Sequence, residues 1–473
     1  MNPVLTWQQG WRYGLMGLPL AFVALPLYVI LPNHYAREFG VSLATLGAVL
    51  VAVRLFDTLI DPLLGRWADG LHQRAKVTDS KPASVLASAS ASVATSPATQ
   101  VLRWAALAAL LLCTGFGLLF FPPLALQDNT TQVLLWLAAT LLLTTVAFSA
   151  LTILHQAWGA RLGGDALYRS RVVSWREGLG LVGVIIASIA PVALGLPATV
   201  TLLVIASAGG WLAWRSGPVP QSQPLPQATS PHTSPVSGVE HETLSRSAHG
   251  PILHPNVIPE ASSVWLPWKR LQFRQLISVF MVNGIASAIP ATLLLFFVQD
   301  RLQAPPSTEP LFLGSYFVCA ALSIPLWLKL VPRLGLARTW GLGMLLSVAV
   351  FVFAAGLGTG DVTEFVWVCA LSGVALGTDL ALPAALLAGV IQHNGDQQQS
   401  EGAYFGWWAF ATKLNLALAA GVALPALGLL GYTPGATDPE ALQTLTFAYC
   451  LLPCLLKTLA ALLLYTLIIR KKP

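Results

Sequence analysis

Charge is what this sequence most lacks. Of its 473 residues only 10% are Asp, Glu, Lys or Arg, whereas 55% are hydrophobic, and the mean hydropathy is +0.68. A soluble globular chain carries roughly 25% charged residues. A depletion sustained over the whole chain excludes an ordinary aqueous protein and points to lipid as the main solvent. The net charge of +6 is then no sign of a nucleic-acid partner, because excess Lys and Arg in a membrane protein reports orientation. Cysteine is scarce as well. Cys113, Cys319, Cys369, Cys450 and Cys454 all fall in apolar runs without metal-ligand spacing, which argues against a zinc site or a disulfide framework. No Gly-x-x-x-x-Gly-Lys-Ser/Thr stretch occurs, so ATP-driven work by this chain is not expected. The first apolar run has no small-residue cleavage site, and it reads as a first spanning helix, not a removed signal peptide.

Long apolar runs are what the chain has instead. A spanning helix needs about 20 mostly apolar residues. Six runs meet that length near 13–33, 42–65, 102–122, 132–157, 174–195 and 198–215. Six more lie near 274–299, 310–331, 338–357, 364–391, 404–431 and 441–469. Between the sets, residues 216–272 change character. "GPVPQSQPLPQATSPHTSPVSG" is too polar and too proline-broken to pack, and is expected to be a disordered linker. The expected architecture is an all-α integral membrane protein with a six-helix half at 1–215, a linker at 216–272 and a second six-helix half at 273–473. A further low-complexity piece, "SKPASVLASASASVATSPATQ", enlarges the loop after the second helix.

Orientation follows from the basic residues. Arg74, Lys76, Lys81, Arg161, Arg169, Lys269, Arg270, Lys329 and Arg333 fall on the loops after even-numbered helices, and Arg470, Lys471 and Lys472 on the tail. The opposite loops hold Arg37 and Arg301 against Asp128, Asp300, Asp361 and Asp438. Both termini and the linker are therefore expected in the cytoplasm, with the chain a multi-pass protein of a bacterial inner membrane. Two halves of six helices joined by a cytoplasmic linker resemble the layout of the major facilitator superfamily.

Against this background "VRLFDTLIDPLLGRWADG" (53–70) stands out. On a helix Arg54, Asp57 and Asp61 share one narrow face with Gly65. Ionised groups at bilayer depth cost at least ~2.5–3.5 kcal/mol each and persist where they pair or line a polar cavity. Two aspartates one turn apart can share a small cation or a proton, with Arg54 compensating one charge when the site is empty. A purely structural ion-pair cluster is the alternative.

The pattern R-x-x-D-x-x-x-D-P-x-x-G-x-x-x-D resembles the second helix of the melibiose-permease-like glycoside–pentoside–hexuronide:cation symporters. "YRSRVVSWRE" (168–177) resembles that family's entry to helix 5, "SEGAYFGWWAFATK" (400–413) and "GYTPG" (431–435) its eleventh-helix region, and "VNGIASAIPATLLLFFVQDRL" its seventh helix. The resemblance implies cation-coupled uptake of a sugar-like solute by alternating access, with H⁺ or Na⁺ as coupling ion and no other cofactor. It further implies that Asp57 and Asp61 form the coupling site, that Arg176 touches substrate, and that Lys413 links the halves. This chain departs from the family in having Ala21, Ile60 and Thr152 where the family has polar or acidic groups. That weakens the case for a galactoside and for Na⁺.

Other polar groups at depth fill out the candidate set. Ser149 and Thr152 lie on one face of the fourth helix and offer hydroxyl oxygens to the cation, and His155, followed by Gln156, is a candidate substrate or proton residue, with an interface role as the alternative. Asp379, Asn283 and Trp408 are substrate-side candidates. Lys413 and Asp379 each need a partner: either they pair with each other, or Lys413 reaches Asp57 or Asp61 across the cavity. Asp69 and Arg74 sit where facilitators carry the Gly-x-x-x-Asp loop motif, and read as gating residues at a helix N-terminus. Other expected partners are the small-molecule substrate and membrane lipid, with no nucleic acid and the chain acting as a monomer. Two alternatives remain. One is an amphiphilic substrate such as a lysolipid. The other is an intramembrane prenyltransferase, which would need a second aspartate-rich cluster where the second half offers Asp379. A non-enzymatic transporter is the expectation.

Overall fold

The structure is a computed structural model that describes residues 5–39, 43–79, 97–123, 125, 129–220, 263–397, 399–432 and 435–470. Among these residues there is no strand. Twelve helical segments follow one another. The first, α1 (7–38), is broken after Gly14 and loosened at Pro26. Then come α2 (Leu43–Asp79), α3 (Pro97–Phe120), α4 (Thr130–Arg161), α5 (Ala166–Ala193) and α6 (Gly195–Arg215). The second half holds α7 (Leu271–Arg301), α8 (Glu309–Leu334), α9 (Leu336–Gly356), α10 (Val362–His393), α11 (Glu401–Leu429) and α12 (Pro439–Ile469). Among the described residues nine of them, α3 to α10 and α12, are long and apolar enough to cross a membrane by length and composition. In α2 charged residues interrupt the apolar run.

The helices overrun the apolar runs that announce them. α3 begins at Pro97, α4 ends at Arg161 and α5 begins at Ala166, each beyond the hydropathic boundary. Local chemistry sets the true ends. Asn129 caps α4 by accepting from the N–H of Thr131 (2.9 Å), and Asp165 caps α5 by accepting from that of Tyr168 (2.7 Å). Between them Gly163 and Gly164 take φ of +70° and +85°, a conformation that turns α4 sharply into α5.

The second half also begins earlier than its apolar run. Val264 is buried, Trp407 Nε1 donates to its carbonyl (2.8 Å), and Leu266–Lys269 forms a short helical turn ahead of α7. The C-terminal end of the expected linker is thus folded onto α11, and 221–262 lie outside the described residues.

The apolar core falls into three clusters, one of which joins the halves through Ala157, Ala160, Val173 and Leu181. Tyr13, Phe22, Phe116, Trp158 and Trp214 anchor the first. Phe273, Trp340 and Tyr404 anchor the second, and Phe297, Phe312 and Tyr449 the third. Across the division α2 runs along α11, and α5 lies against α8 and α10. Since the helices alternate in direction, the start of α1, the end of α12 and the α4–α5, α8–α9 and α10–α11 connections share one side of the molecule, the terminal face.

Candidate functional site

α2, α4 and α11 meet at mid-depth and bring four polar side chains together. Lys413 Nζ stands 2.6 Å from Asp57 Oδ2 and 2.9 Å from Asp61 Oδ2, and donates to Asp61 Oδ1 (3.0 Å) and Ser149 Oγ (2.7 Å). The Ser149 hydroxyl is also 3.0 Å from Asp57 Oδ1. Asp57 and Asp61 are 5% and 0% exposed, so the ammonium is their main compensation. Two carboxylates face one cation, which leaves the layer one positive charge short. An oxygen with unused acceptor capacity lies beside it: Thr152 Oγ1, three residues beyond Ser149, is buried without a partner. Pro62, next to Asp61, removes a helical N–H and leaves the Thr58 carbonyl without its usual donor.

A second layer closes the terminal face on the same three helices. Arg161, at the end of α4, bonds Asp69 (2.8 Å) from α2 and Glu401 (2.9 Å) from the start of α11, and all three are 0–2% exposed at the side chain. The Asp69 carboxylate also accepts from the backbone N–H of Gly402 (2.7 Å) and Ala403 (2.8 Å). The positive end of the α11 dipole thus offsets the surplus negative charge here, which it does not do at mid-depth. Twelve residues separate Asp57 from Asp69, Ser149 from Arg161 and Glu401 from Lys413. At 1.5 Å per residue the layers lie about 18 Å apart. Between them α2 and α11 touch through glycines: a Cβ on Gly65 would stand 2.1 Å from the Gly402 carbonyl oxygen, and one on Gly402 2.1 Å from that of Gly65. Arg169 adds a hydrogen bond from α5 to Gln392 on α10.

Several sequence expectations are corrected. Arg54 is exposed on α2, and the cation that reaches both aspartates is Lys413. Lys413 does not pair with Asp379, because Lys457 on α12 does so at 2.8 Å. His155 is fully buried, with Nε2 2.9 Å from the Tyr13 carbonyl and its ring stacked on Tyr13 at 4.3 Å and edge-on to Trp214 at 4.8 Å. It packs α4 against α1 and α6, and its Nδ1 is buried without a partner. Arg176 is paired with its neighbour Glu177 (2.9 and 2.5 Å). Trp408 stacks face to face on Phe280 at 3.8 Å, so α7–α11 packing occupies its ring. The Arg74 side chain lies outside the described residues. Outside the spans, Arg270 forms a two-pronged pair with Asp396 (2.9 and 2.6 Å), and those hydrogen bonds raise the guanidinium pKa further.

Sequence reasoning missed Lys457, Arg161 and Glu401 as site members. Lys457 had a signal, a lone ammonium inside "LLPCLLKTLAALLLY". It donates to Asp379 Oδ2 (2.8 Å) and Ser287 (2.9 Å), while Asp379 Oδ1 accepts from Trp340 Nε1 (2.7 Å) and Asn283 Nδ2 (3.1 Å). This cluster belongs wholly to the second half and is balanced charge for charge. It ends a cavity of about 170 Å³ whose walls include Tyr316, Phe317 and Ser372. Breaking a buried pair from one side costs ~3–5 kcal/mol, whereas replacing both partners by apolar groups is often neutral. Asp379→Leu and Lys457→Met should therefore each lower the melting temperature strongly, and the double variant should recover most of the loss. Additive losses in that cycle would show that the pair does not hold the half together.

Comparison with known proteins completes the picture. A zebrafish (Danio rerio) protein, sodium-dependent lysophosphatidylcholine symporter 1-A, is 26% identical over 122 residues, covering 25% of this chain and 23% of that protein. The match thus spans under a quarter of that relative's length. Among solved structures, a bacterial homologue of the iron transporter ferroportin in its outward-facing state superposes with a TM-score of 0.65 at 16% identity, covering 97% of this chain and 98% of that one. The transporter FucP in its outward conformation gives 0.57 at 14% identity over 95% and 98% of the two chains. At such identities these two establish the fold alone, that of a major facilitator transporter. The family profile described as MFS/sugar transport protein matches residues 12–214 and 268–471, nearly all of both halves, and the chain belongs to that family.

Proposed function

We propose that the protein is a cation-coupled symporter working by alternating access, with Asp57 and Asp61 as the coupling site and Lys413 as its internal counter-charge. The observation that carries this reading is the two-to-one ratio at mid-depth, two buried carboxylates against one ammonium that bridges the halves. An arriving cation makes up the missing charge and competes with Lys413, which loosens the link between the halves. The terminal face is closed by the Arg161 layer, which supports an outward-facing state with both chain ends in the cytoplasm of a cell whose cytoplasmic membrane holds the protein. The basic residues of the terminal-face loops support the same orientation.

The coupling ion we assign is H⁺. Asp57, Asp61, Ser149 and Thr152 reach the about six or more oxygen ligands that a hard cation such as Ca²⁺ takes only if both carboxylates bind through both oxygens, and Ile60 supplies none. Na⁺ is the competing assignment, supported by the name of the zebrafish relative. In proteoliposomes, collapsing the proton gradient at fixed Na⁺ should cut concentrative uptake by about tenfold or more, and replacing Na⁺ by choline at fixed pH should leave it nearly unchanged. Strict Na⁺ dependence would reverse the assignment.

A sugar or related small solute is the first substrate class, supported by the family description. A lysolipid-like amphiphile is the second, supported by the mostly apolar cavity beside Asp379 and Lys457 and by the same relative. Thermal unfolding of the purified protein with glycosides, uronates and lysophosphatidylcholine separates them, since a transported ligand raises the melting temperature of the state it binds.

A further inference from the structure

A groove at the terminal face stands apart from the coupling site and both charge layers. It has a volume of about 440 Å³. One wall comes from the first half, through Leu5, Trp7 and the α5 residues Arg171, Ser174, Trp175 and Leu179. The facing wall comes from the second half, through Ala321, Ile324, Pro325 and Leu328 on α8. We propose that this groove is a binding site for an anionic phospholipid, with the acyl chains against the α8 wall and the phosphate on Arg171.

Three observations carry the assignment. First, Arg171 is half-buried at the rim and has no carboxylate or hydrogen-bond partner among the described residues, unlike Arg161, Arg169 and Arg176 close by. A guanidinium with five free donors at the edge of an apolar slot matches a phosphate diester. Second, Ser174 lies three residues along the same helix face, 7% exposed, and its hydroxyl is buried without a partner, so it stands ready for a phosphate or ester oxygen. Third, the opposite wall is hydrocarbon, and it ends one turn beyond Pro325 in exposed Lys329, which has no partner among the described residues. Trp7 meets Trp175 edge-on at 5.7 Å, an aromatic pair of the kind that settles at headgroup level. Cation, hydroxyl and apolar wall thus follow one another in the order of phosphate, glycerol and acyl chain.

The groove exists only while its two walls face each other. An occupant seated against α5 and α8 together bridges the halves when the terminal face is closed and loses one wall when it opens. The lipid therefore binds the closed state and stabilises it by mass action. Binding needs neither the coupling reaction nor a transported solute, so it stands or falls independently of the function proposed above.

The test uses the full chain, purified in detergent and titrated with phosphatidylglycerol, with phosphatidylcholine of the same acyl chains, and with inorganic phosphate. The readouts are lipid adducts in native mass spectrometry and the melting temperature. Phosphatidylcholine carries the same phosphate diester beside a quaternary ammonium that Arg171 and Lys329 repel, so phosphatidylglycerol should saturate at about tenfold lower concentration. Arg171→Gln should erase that preference and Arg171→Lys should keep most of it. Ala321→Trp, which leaves Arg171 intact and fills the groove from the other half, should abolish both adduct and stabilisation. Equal binding of the two lipids would overturn the proposal. So would an undiminished preference in Arg171→Gln, lipid binding unaffected by Ala321→Trp, or stabilisation by phosphate alone matching that by phosphatidylglycerol.

Discussion

Asp61→Asn is expected to reduce concentrative uptake to the background of protein-free vesicles and to leave the protein at least as stable as its parent. Asparagine keeps the shape of the side chain and takes away one of the two negative charges facing Lys413. The layer then holds one carboxylate against one ammonium, the balance that Asp379 and Lys457 already show in the second half. With no charge deficit left, a coupling cation gains nothing by entering, and the gradient can no longer drive the solute uphill. Exchange down a solute gradient should survive, because substrate binding and coupling are separable free energies. Asp57→Asn should behave alike. Lys413→Ala makes the contrast: two buried carboxylates lose their shared counter-ion, and removing one side of such a pair costs ~3–5 kcal/mol. That variant should be the least stable of the three. If both asparagine variants accumulate solute like the parent, the coupling site is not on α2.

Arg161→Ala is expected to open the terminal face. Arg161 is the cation that Asp69 and Glu401 share across the halves, at 2–3% exposure, and its loss leaves two carboxylates facing each other in a dry seam. A loss of ~3–5 kcal/mol corresponds to a fall of roughly 150- to 5,000-fold in the ratio of closed to open molecules. Spin labels at Leu162 and His393, on the α4–α5 turn and the end of α10, should then report a longer distance as the main population. Transport should fall too, because a carrier that cannot close one side cannot cycle. An unchanged distance distribution would mean that the glycine contacts of α2 and α11 hold the face shut unaided.

The twelve-helix fold was legible because hydrophobic length is a one-dimensional property that survives without knowledge of neighbours. Helix ends were less so, since Asn129 and Asp165 set them through local hydrogen bonds in polar sequence. At the site, the α2 aspartates announced themselves by charge in an apolar run. Their partner could not be chosen from sequence, because Lys413 was compatible with Asp379 as well, and only the lateral placement of α11 beside α2 decides between them. Arg161 was visible as one of many basic residues near helix ends, and nothing in its neighbourhood separates a clamp from an orientation signal. His155 and Trp408 show the converse. Polar and aromatic types invite a binding role, yet ring stacking on Tyr13 and Phe280 takes both into the packing.

The charge deficit at mid-depth also decides which step of a cycle the membrane voltage can act on. For a cation-coupled carrier the loaded layer is neutral and its reorientation moves no net charge through the field. The empty layer, with two carboxylates against one ammonium, carries a single negative charge, and it is the return of the unloaded carrier that the voltage drives. One elementary charge moved across 100 mV corresponds to about 2.3 kcal/mol. A membrane that is negative on the side of the chain ends pushes that charge away from the terminal face, towards the conformation in which the Arg161 layer is shut. The electrical term and the closed clamp thus favour the same resting state, and energising the membrane speeds recovery of the empty carrier more than passage of the loaded one.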